Sequence, residues 1–255
     1  MRAQPVDLAL VLAIDVSESV NQQEYRMQVE GLAEAFRAPE VSAAIRNGPH
    51  GAIAVSVVLW AGSFDQRVAL PWTRIAGADS AHDLAVTLDS LPRLGTRGAT
   101  AIGAALLYSA RQFNRLPMNA DRLVIDVSGD GRSNTGPALD PARQHLASQG
   151  ITVNGLAIET DYDWLGVYFD LRVKTGFGAF VEVAHNFEDY RRAIRRKLLR
   201  EIRPPLIAGP PARLRHLASL PPIGHGACRI APRRGSKTAM PVNASCPPAT
   251  AGARP

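Results

Sequence analysis

The sequence predicts an α/β fold: a doubly wound, mostly parallel six-stranded sheet with one antiparallel edge strand and helices on both faces. Three observations predict it. Near-continuous apolar runs of strand length recur through residues 1–203, the pattern of parallel strands covered on both faces. Segments of helical period separate these runs, as βαβ units require. One connection, Gly62-Ser63-Phe64-Asp65, is too short for a crossover helix, so the strands it joins run antiparallel.

The elements follow in order. Val6 to Ile14 is the first buried strand. Asn21 and Glu24 form a capping box for a helix over 21–37, whose stripe is Tyr25, Val29, Leu32 and Phe36. Ala52 to Trp60 and Arg67 to Trp72 form the edge hairpin, with Trp60 and Trp72 packed on the sheet edge. Residues 80–91 make a short helix. Thr100 opens another, with Ile102, Leu106, Ser109 and Phe113 on one face. Arg122 to Val127 is a strand; Asp140 caps a helix that has Pro141 at its first position. Ile151 to Ile158 is a strand, 162–174 a helix and Ala179 to Ala184 the last strand. Asn186 begins a closing helix striped by Phe187, Tyr190, Ile194, Leu198 and Ile202, and Pro204-Pro205 ends it.

Length and composition set the limits. At 255 residues and 46% hydrophobic content, one large core is affordable. No run approaches the roughly 20 apolar residues that cross a bilayer. Leu8 to Ile14 imitates a signal peptide, but Asp7 interrupts its approach and no small-residue cleavage site precedes Asp15. The expected location is cytoplasmic for the chain as written, and periplasmic or secreted if the true start lies upstream. The formal charge of +6 is uneven. Residues 204–255 carry seven of the 29 Lys and Arg and no acid, leaving 22 bases against 23 acids in residues 1–203. The expected organisation is a folded domain over 1–203 and a disordered Pro/Arg-rich tail over 204–255. Cys228 and Cys246 both fall in that tail, which leaves 1–203 without a disulfide or a cysteine-based metal site.

In a doubly wound sheet, ligands bind beyond the carboxyl ends of the strands, where strand order reverses. The first strand runs into Asp15-Val16-Ser17-Glu18-Ser19, which presents one carboxylate and two hydroxyls around a turn. A later strand runs into Ser128-Gly129-Asp130-Gly131, whose glycines let the backbone turn sharply. Thr100 ends the Gly98-Ala99-Thr100 loop. If the two strands are neighbours, the Asp15 and Asp130 carboxylates converge, and Ser17, Ser19 and Thr100 supply the hydroxyls of the set. Two carboxylates, three hydroxyls and no soft donor suit a hard cation such as Mg²⁺, with Mn²⁺ or Ca²⁺ as alternatives. Each element also has an ordinary reading: Asp and Ser start turns, Thr100 serves as an N-cap, and Asp130 stands in a plain glycine turn.

Over residues 6–202 these residues resemble the von Willebrand factor type A (vWA) domain with its metal-ion-dependent adhesion site (MIDAS). Asp15, Ser17 and Ser19 match the Asp-x-Ser-x-Ser element, Thr100 the second loop, and Asp130-Gly131 the third. The chain departs from the pattern at Ile102, where many members carry a second Thr, and at Gly129, which often is Thr. Ser-Gly-Asp-Gly and the closing Arg-Arg-Lys-Leu-Leu-Arg-Glu-Ile helix look most like a bacterial branch of unknown function. The resemblance implies a non-enzymatic adhesion module: a partner protein supplies an Asp or Glu to the bound metal, and the change in ligation moves the closing helix.

Two other readings compete. Gly129-Asp130-Gly131-Arg132-Ser133-Asn134 partly copies haloacid-dehalogenase-type phosphatases, but Ser17 stands where their general acid would be, and the first lysine, Lys174, follows Asp130. A metal-independent scaffold would instead bind acidic partners through Arg191, Arg192, Arg195, Arg196, Arg200 and the basic tail. No aromatic-basic motif accompanies those arginines to recommend nucleic acid. Glu159, Asp161 and Asp163 offer either a second cation site or helix capping, and capping is the expectation. Asp126, inside a strand, calls for a buried partner such as a backbone amide or an Arg.

Overall fold

A computed structural model describes residues 4–93 and 98–203. Its six strands are β1 (Leu8–Asp15), β2 (Ile53–Trp60), β3 (Gln66–Ile75), β4 (Leu123–Gly129), β5 (Ile151–Ile158) and β6 (Val181–Ala184). They line up as β3-β2-β1-β4-β5-β6. All pairings are parallel except β2–β3, which is antiparallel. The doubly wound, mostly parallel sheet with one antiparallel edge strand is therefore the observed fold. Order reverses between β1 and β4, which places their carboxyl ends at the crevice where such sheets bind ligands.

Alternation along β1 sorts the two cores. Leu8, Leu10, Leu12 and Ile14 face α1 (Gln22–Arg37), α2 (Pro39–Arg46), α3 (Ala78–Asp89) and α7 (Tyr190–Ile202). Val11 and Ala13 face α4 (Ile102–Gln112), α5 (Leu139–Ser148) and α6 (Leu165–Tyr168). Side chains of period two between two helical layers are why β1 reads as an unbroken apolar run.

The expected capping box is present: Asn21 Oδ1 accepts from Gln23 N and Glu24 N, and Glu24 Oε2 accepts from Asn21 N at 2.7 Å. Helix α2, which the sequence reading omits, carries Pro39 in its first turn and buries Val41 and Ile45 one turn apart.

Several expectations need correction. The α5 N-cap is Ala138, and the Asp140 carboxylate pairs with Arg143 and Arg172 rather than capping. The helix expected over 162–174 is a single α-turn followed by a π-turn, Phe169–Val173, closed by Lys174 N donating to Phe169 O at 2.9 Å. The wide turn seats Phe169 on Gly155, where a Cβ would come within 2.6 Å of the ring. The closing helix begins at Tyr190, because Asn186 forms a local turn by accepting from Asp189 N. Trp60 is fully buried on an interior strand rather than at the edge. Trp72 does sit on edge strand β3, donating from Nε1 to Gln112 O at 2.9 Å.

Among the described residues Asp126 is paired with neither a backbone amide nor an Arg. Its Oδ1 lies 2.6 Å from Lys197 Nζ, which also lies 2.6 Å from Glu201 Oε1; Asn154 Nδ2 donates to the same Glu201 oxygen. All four side chains are buried. Lys197 thus ties α7 to the middle of the sheet. The expectations for residues 204–255, including Cys228 and Cys246, lie outside the described residues.

Candidate metal centre

Parallel pairing of β1 with β4 brings Ile14 level with Ser128, so the turns after both strands share one crevice. Asp15 Oδ1 accepts from Ser17 N at 2.8 Å, which folds Asp-x-Ser into a tight turn. Ser17 Oγ lies 3.2 Å from Ser19 Oγ, and Ser19 Oγ donates to Asp130 Oδ1 at 2.8 Å. Thr100 Oγ1 stands 3.7 Å from the point where a Cβ on Gly131 would be. Thr100 is not the cap of α4, since that position is Ala101. Its N–H donates to Asn134 Oδ1, and Asn134 N donates back to Thr100 O, both at 2.9 Å. Asp15, Ser17, Ser19 and Asp130 are thus linked through hydrogen bonds, and the Thr100 hydroxyl stands beside Gly131, the residue after Asp130.

Asp15 Oδ2 is the informative atom. It is buried and makes no hydrogen bond among the described residues, a costly arrangement for a carboxylate oxygen. A Cβ on Gly129 would come within 2.9 Å of it and 3.5 Å of the Trp60 ring. Glycine at 129, one of the two departures from the family pattern, leaves room beside that buried oxygen. The other departure, Ile102, is fully buried in the α4 core.

Burial first, then the neighbouring Asp130 charge, pushes the Asp15 carboxyl up to about 8, against the lowering effect of the Ser17 hydrogen bonds and Arg93. Burial also raises Asp130, partly offset by the hydrogen bond from Ser19. Two carboxylates sharing a buried crevice ionise together only with a compensating positive charge. A hard divalent cation supplies that charge, and the all-oxygen donor set fits one.

Three supporting residues carry no motif. Arg93 Nη2 donates to the carbonyls of Val16, Ser17 and Val20, the last at 2.6 Å, and so clamps the first turn. Gln28 donates from Nε2 to Asp15 O and accepts at Oε1 from Ser128 Oγ, bridging the two strand ends from α1. Its signal was available, since a polar residue at position 28 interrupts the stripe of Tyr25, Val29 and Leu32. Asn134 was visible only as part of the phosphatase-like stretch, and its bonds make it a loop clamp.

Other expected features sort differently. Glu159 Oε1 accepts from Gly166 N at 2.9 Å and so serves the first turn of α6, whose N-cap residue, Trp164, makes no side-chain cap. Asp161 and Asp163 do not cap it, and Asp161 lies close enough to Asp130 to repel it. Asp7, His50 and Asp121 place potential ligand atoms within 4.8 Å of one another, with His50 Nε2 at 3.1 Å from Asp121 Oδ2. That group lies at the opposite end of β1 from Asp15, roughly 25 Å away at strand rise. The arginines of α7 are spoken for. Arg191 pairs with Glu34, Arg192 with Asp189 and Glu182, Arg195 with Glu40, and Arg196 with Glu182, while Arg200 stacks 3.8 Å from the Phe180 ring centroid.

A family model described as "Protein of unknown function (DUF1194)" matches residues 5–206. None of the curated proteins matches the chain. Among solved structures, proximal thread matrix protein 1 from the mussel byssus, with a zinc-occupied MIDAS motif, superposes with a TM-score of 0.61 at 18% identity. The match covers 77% of this chain and 48% of that one. A von Willebrand factor type A protein from Catenulispora acidiphila gives 0.53 at 19% identity, covering 77% and 43%. The pilus adhesin SpaC from Lactobacillus rhamnosus GG, in its open conformation, gives 0.54 at 11% identity, covering 77% and 30%. This chain spans less than half the length of each of these. The shared architecture is the vWA fold.

Proposed function

The chain belongs to the DUF1194 family of proteins of unknown function, and from its vWA fold we propose that it is a metal-ion-dependent protein-binding module. Asp15, Ser17, Ser19, Thr100 and Asp130 would hold a divalent cation, Mg²⁺ by the hardness of their oxygens. The bound ion would supply a coordination position that an Asp or Glu of a partner protein fills. Recognition is then by coordination rather than turnover.

The observation that carries this reading is the buried Asp15 Oδ2, which makes no hydrogen bond among the described residues, beside a second carboxylate of raised pKa. The zinc-occupied MIDAS motif of the mussel byssus protein supports it as a precedent within the fold. The competing scaffold reading loses ground because the α7 arginines are already engaged with the chain's own acids and with Phe180. Thermal unfolding with Mg²⁺ and with chelator tests the proposal. The wild-type chain should melt higher in Mg²⁺, and Asp130→Ala should not respond. An equal Mg²⁺ response in the variant would overturn it.

A further inference from the structure

We propose that the carboxyl ends of β2 and β5 carry an aromatic rim which selects an extended partner segment with an acidic residue at its centre and an aromatic residue two positions to either side. This rests on the metal-dependent reading above and adds the partner's chemistry.

The rim follows from strand order. The crevice lies between β1 and β4, and the next strands outward are β2 and β5. Phe64 is in the turn after β2 and is 96% exposed. Tyr162 and Trp164 follow β5, are 44% and 41% exposed, and contact each other with ring centroids 5.1 Å apart. Both groups are tethered to the segment that follows Asp130. Ser63 Oγ is 3.4 Å from Thr135 Oγ1, and Tyr168, which packs edge-on to Trp164, accepts from Ser133 N at 3.1 Å. Arg132, two residues after Asp130, is exposed.

Trp and Tyr dominate the energetics of interaction surfaces, and here a contacting Tyr162–Trp164 pair stands partly in water after β5, with Phe64 exposed after β2. The spacing names the occupant. Three inter-strand steps separate β2 from β5, about 14 Å. Four residues of an extended chain span about 13 Å, and residues i, i+2 and i+4 share one face. A segment of pattern aromatic-x-acid-x-aromatic would therefore set its carboxylate at the crevice and an aromatic ring on each side. Arg132 adds complementarity to an acidic segment.

The test uses the full chain in Mg²⁺ and three fluorescein-labelled peptides, Phe-Ser-Glu-Ser-Phe, Ala-Ser-Glu-Ser-Ala and Phe-Ser-Gln-Ser-Phe, read by fluorescence anisotropy. The Phe/Glu peptide should bind about tenfold tighter than the Ala/Glu peptide. The double variant Phe64→Ser, Trp164→Ser should erase that difference while keeping the wild-type rise in melting temperature with Mg²⁺, which shows that it folds and binds metal. Trp164 emission should also change on addition of the Phe/Glu peptide in the wild-type chain. Equal affinity for the Phe and Ala peptides, or a preference that survives in the double variant, would overturn the rim. Phe/Glu binding that is indifferent to chelator and matched by the Gln peptide would instead overturn the metal reading and, with it, the acidic centre of the proposed segment.

Discussion

Ser19 Oγ donates to Asp130 Oδ1 at 2.8 Å across 111 residues of sequence. That one bond joins the turn after β1 to the turn after β4, and it exists because the two strands are neighbours at the point where strand order reverses. Each oxygen in it is also a proposed metal ligand, so changes to the backbone around it should be read in metal binding before they are read in folding.

Gly129→Ala makes that distinction. The new methyl would stand 2.9 Å from Asp15 Oδ2 and 3.5 Å from Trp60. Overpacking of this kind costs about 1–3 kcal/mol. The expected outcome is a folded protein, melting a few degrees lower, whose Mg²⁺ affinity by calorimetry falls by about tenfold or more, since a loss of about 1.4 kcal/mol at the ligand is already tenfold.

Proton competition gives the pH dependence. Asp15 titrates near its ordinary 3.8 in the unfolded chain and near 8 in the metal-free fold, where Asp130 and Arg93 are the charged groups that bear on it. Between those values the folded state holds the extra proton, so metal-free stability falls as pH rises from about 4 to about 8. Mg²⁺ binds the ionised form, so the Mg²⁺-induced rise in melting temperature should grow across the same window. A rise that is flat from pH 5 to pH 8 would count against Asp15 as a ligand.

The sequence made the strand ends legible because each one couples an unbroken apolar run to an oxygen-rich turn. Asp15, Ser17, Ser19 and Asp130 belong to such turns, and hydrogen bonds link them in the structure; Thr100 lies in the loop before α4, where no strand end announces it. The clamps were harder to see. Arg93 acts through three backbone carbonyls, and a carbonyl leaves no trace in sequence. The helix starts expected at Asp140 and Asn186 differ from the observed ones for a related reason: Asp and Asn serve ion pairs and local turns as readily as caps, and the choice is made by tertiary neighbours such as Arg172. Asp126 announced a buried partner, but its identity depended on α7 placing Lys197 against β4.

Lys197→Met addresses that partner. Its removal leaves Asp126 and Glu201 buried side by side, each already carrying an oxygen with no hydrogen bond among the described residues. Breaking a buried ion network by removing one member costs about 3–5 kcal/mol. Chemical denaturation at pH 7 should show a loss of that size. Adding Asp126→Asn and Glu201→Gln to Lys197→Met should restore much of it, because the uncompensated charges are gone.

Truncation after Arg203 should leave both the melting temperature and the Mg²⁺ response unchanged, since every strand of the described residues and every proposed ligand lies upstream. A fall in either, measured by differential scanning fluorimetry, would mean that residues 204–255 contribute to the domain.

The most direct test is a crystal grown in Mn²⁺, with diffraction collected for the anomalous signal of the metal. One strong peak beside Asp15 Oδ2, within coordination distance of Ser17, Ser19 and the Thr100–Asp130 side of the crevice, is the expected result, lost in Asp15→Ala crystals. No peak there, or a peak only at Asp7, His50 and Asp121 at the far end of β1, would contradict a metal centre between β1 and β4.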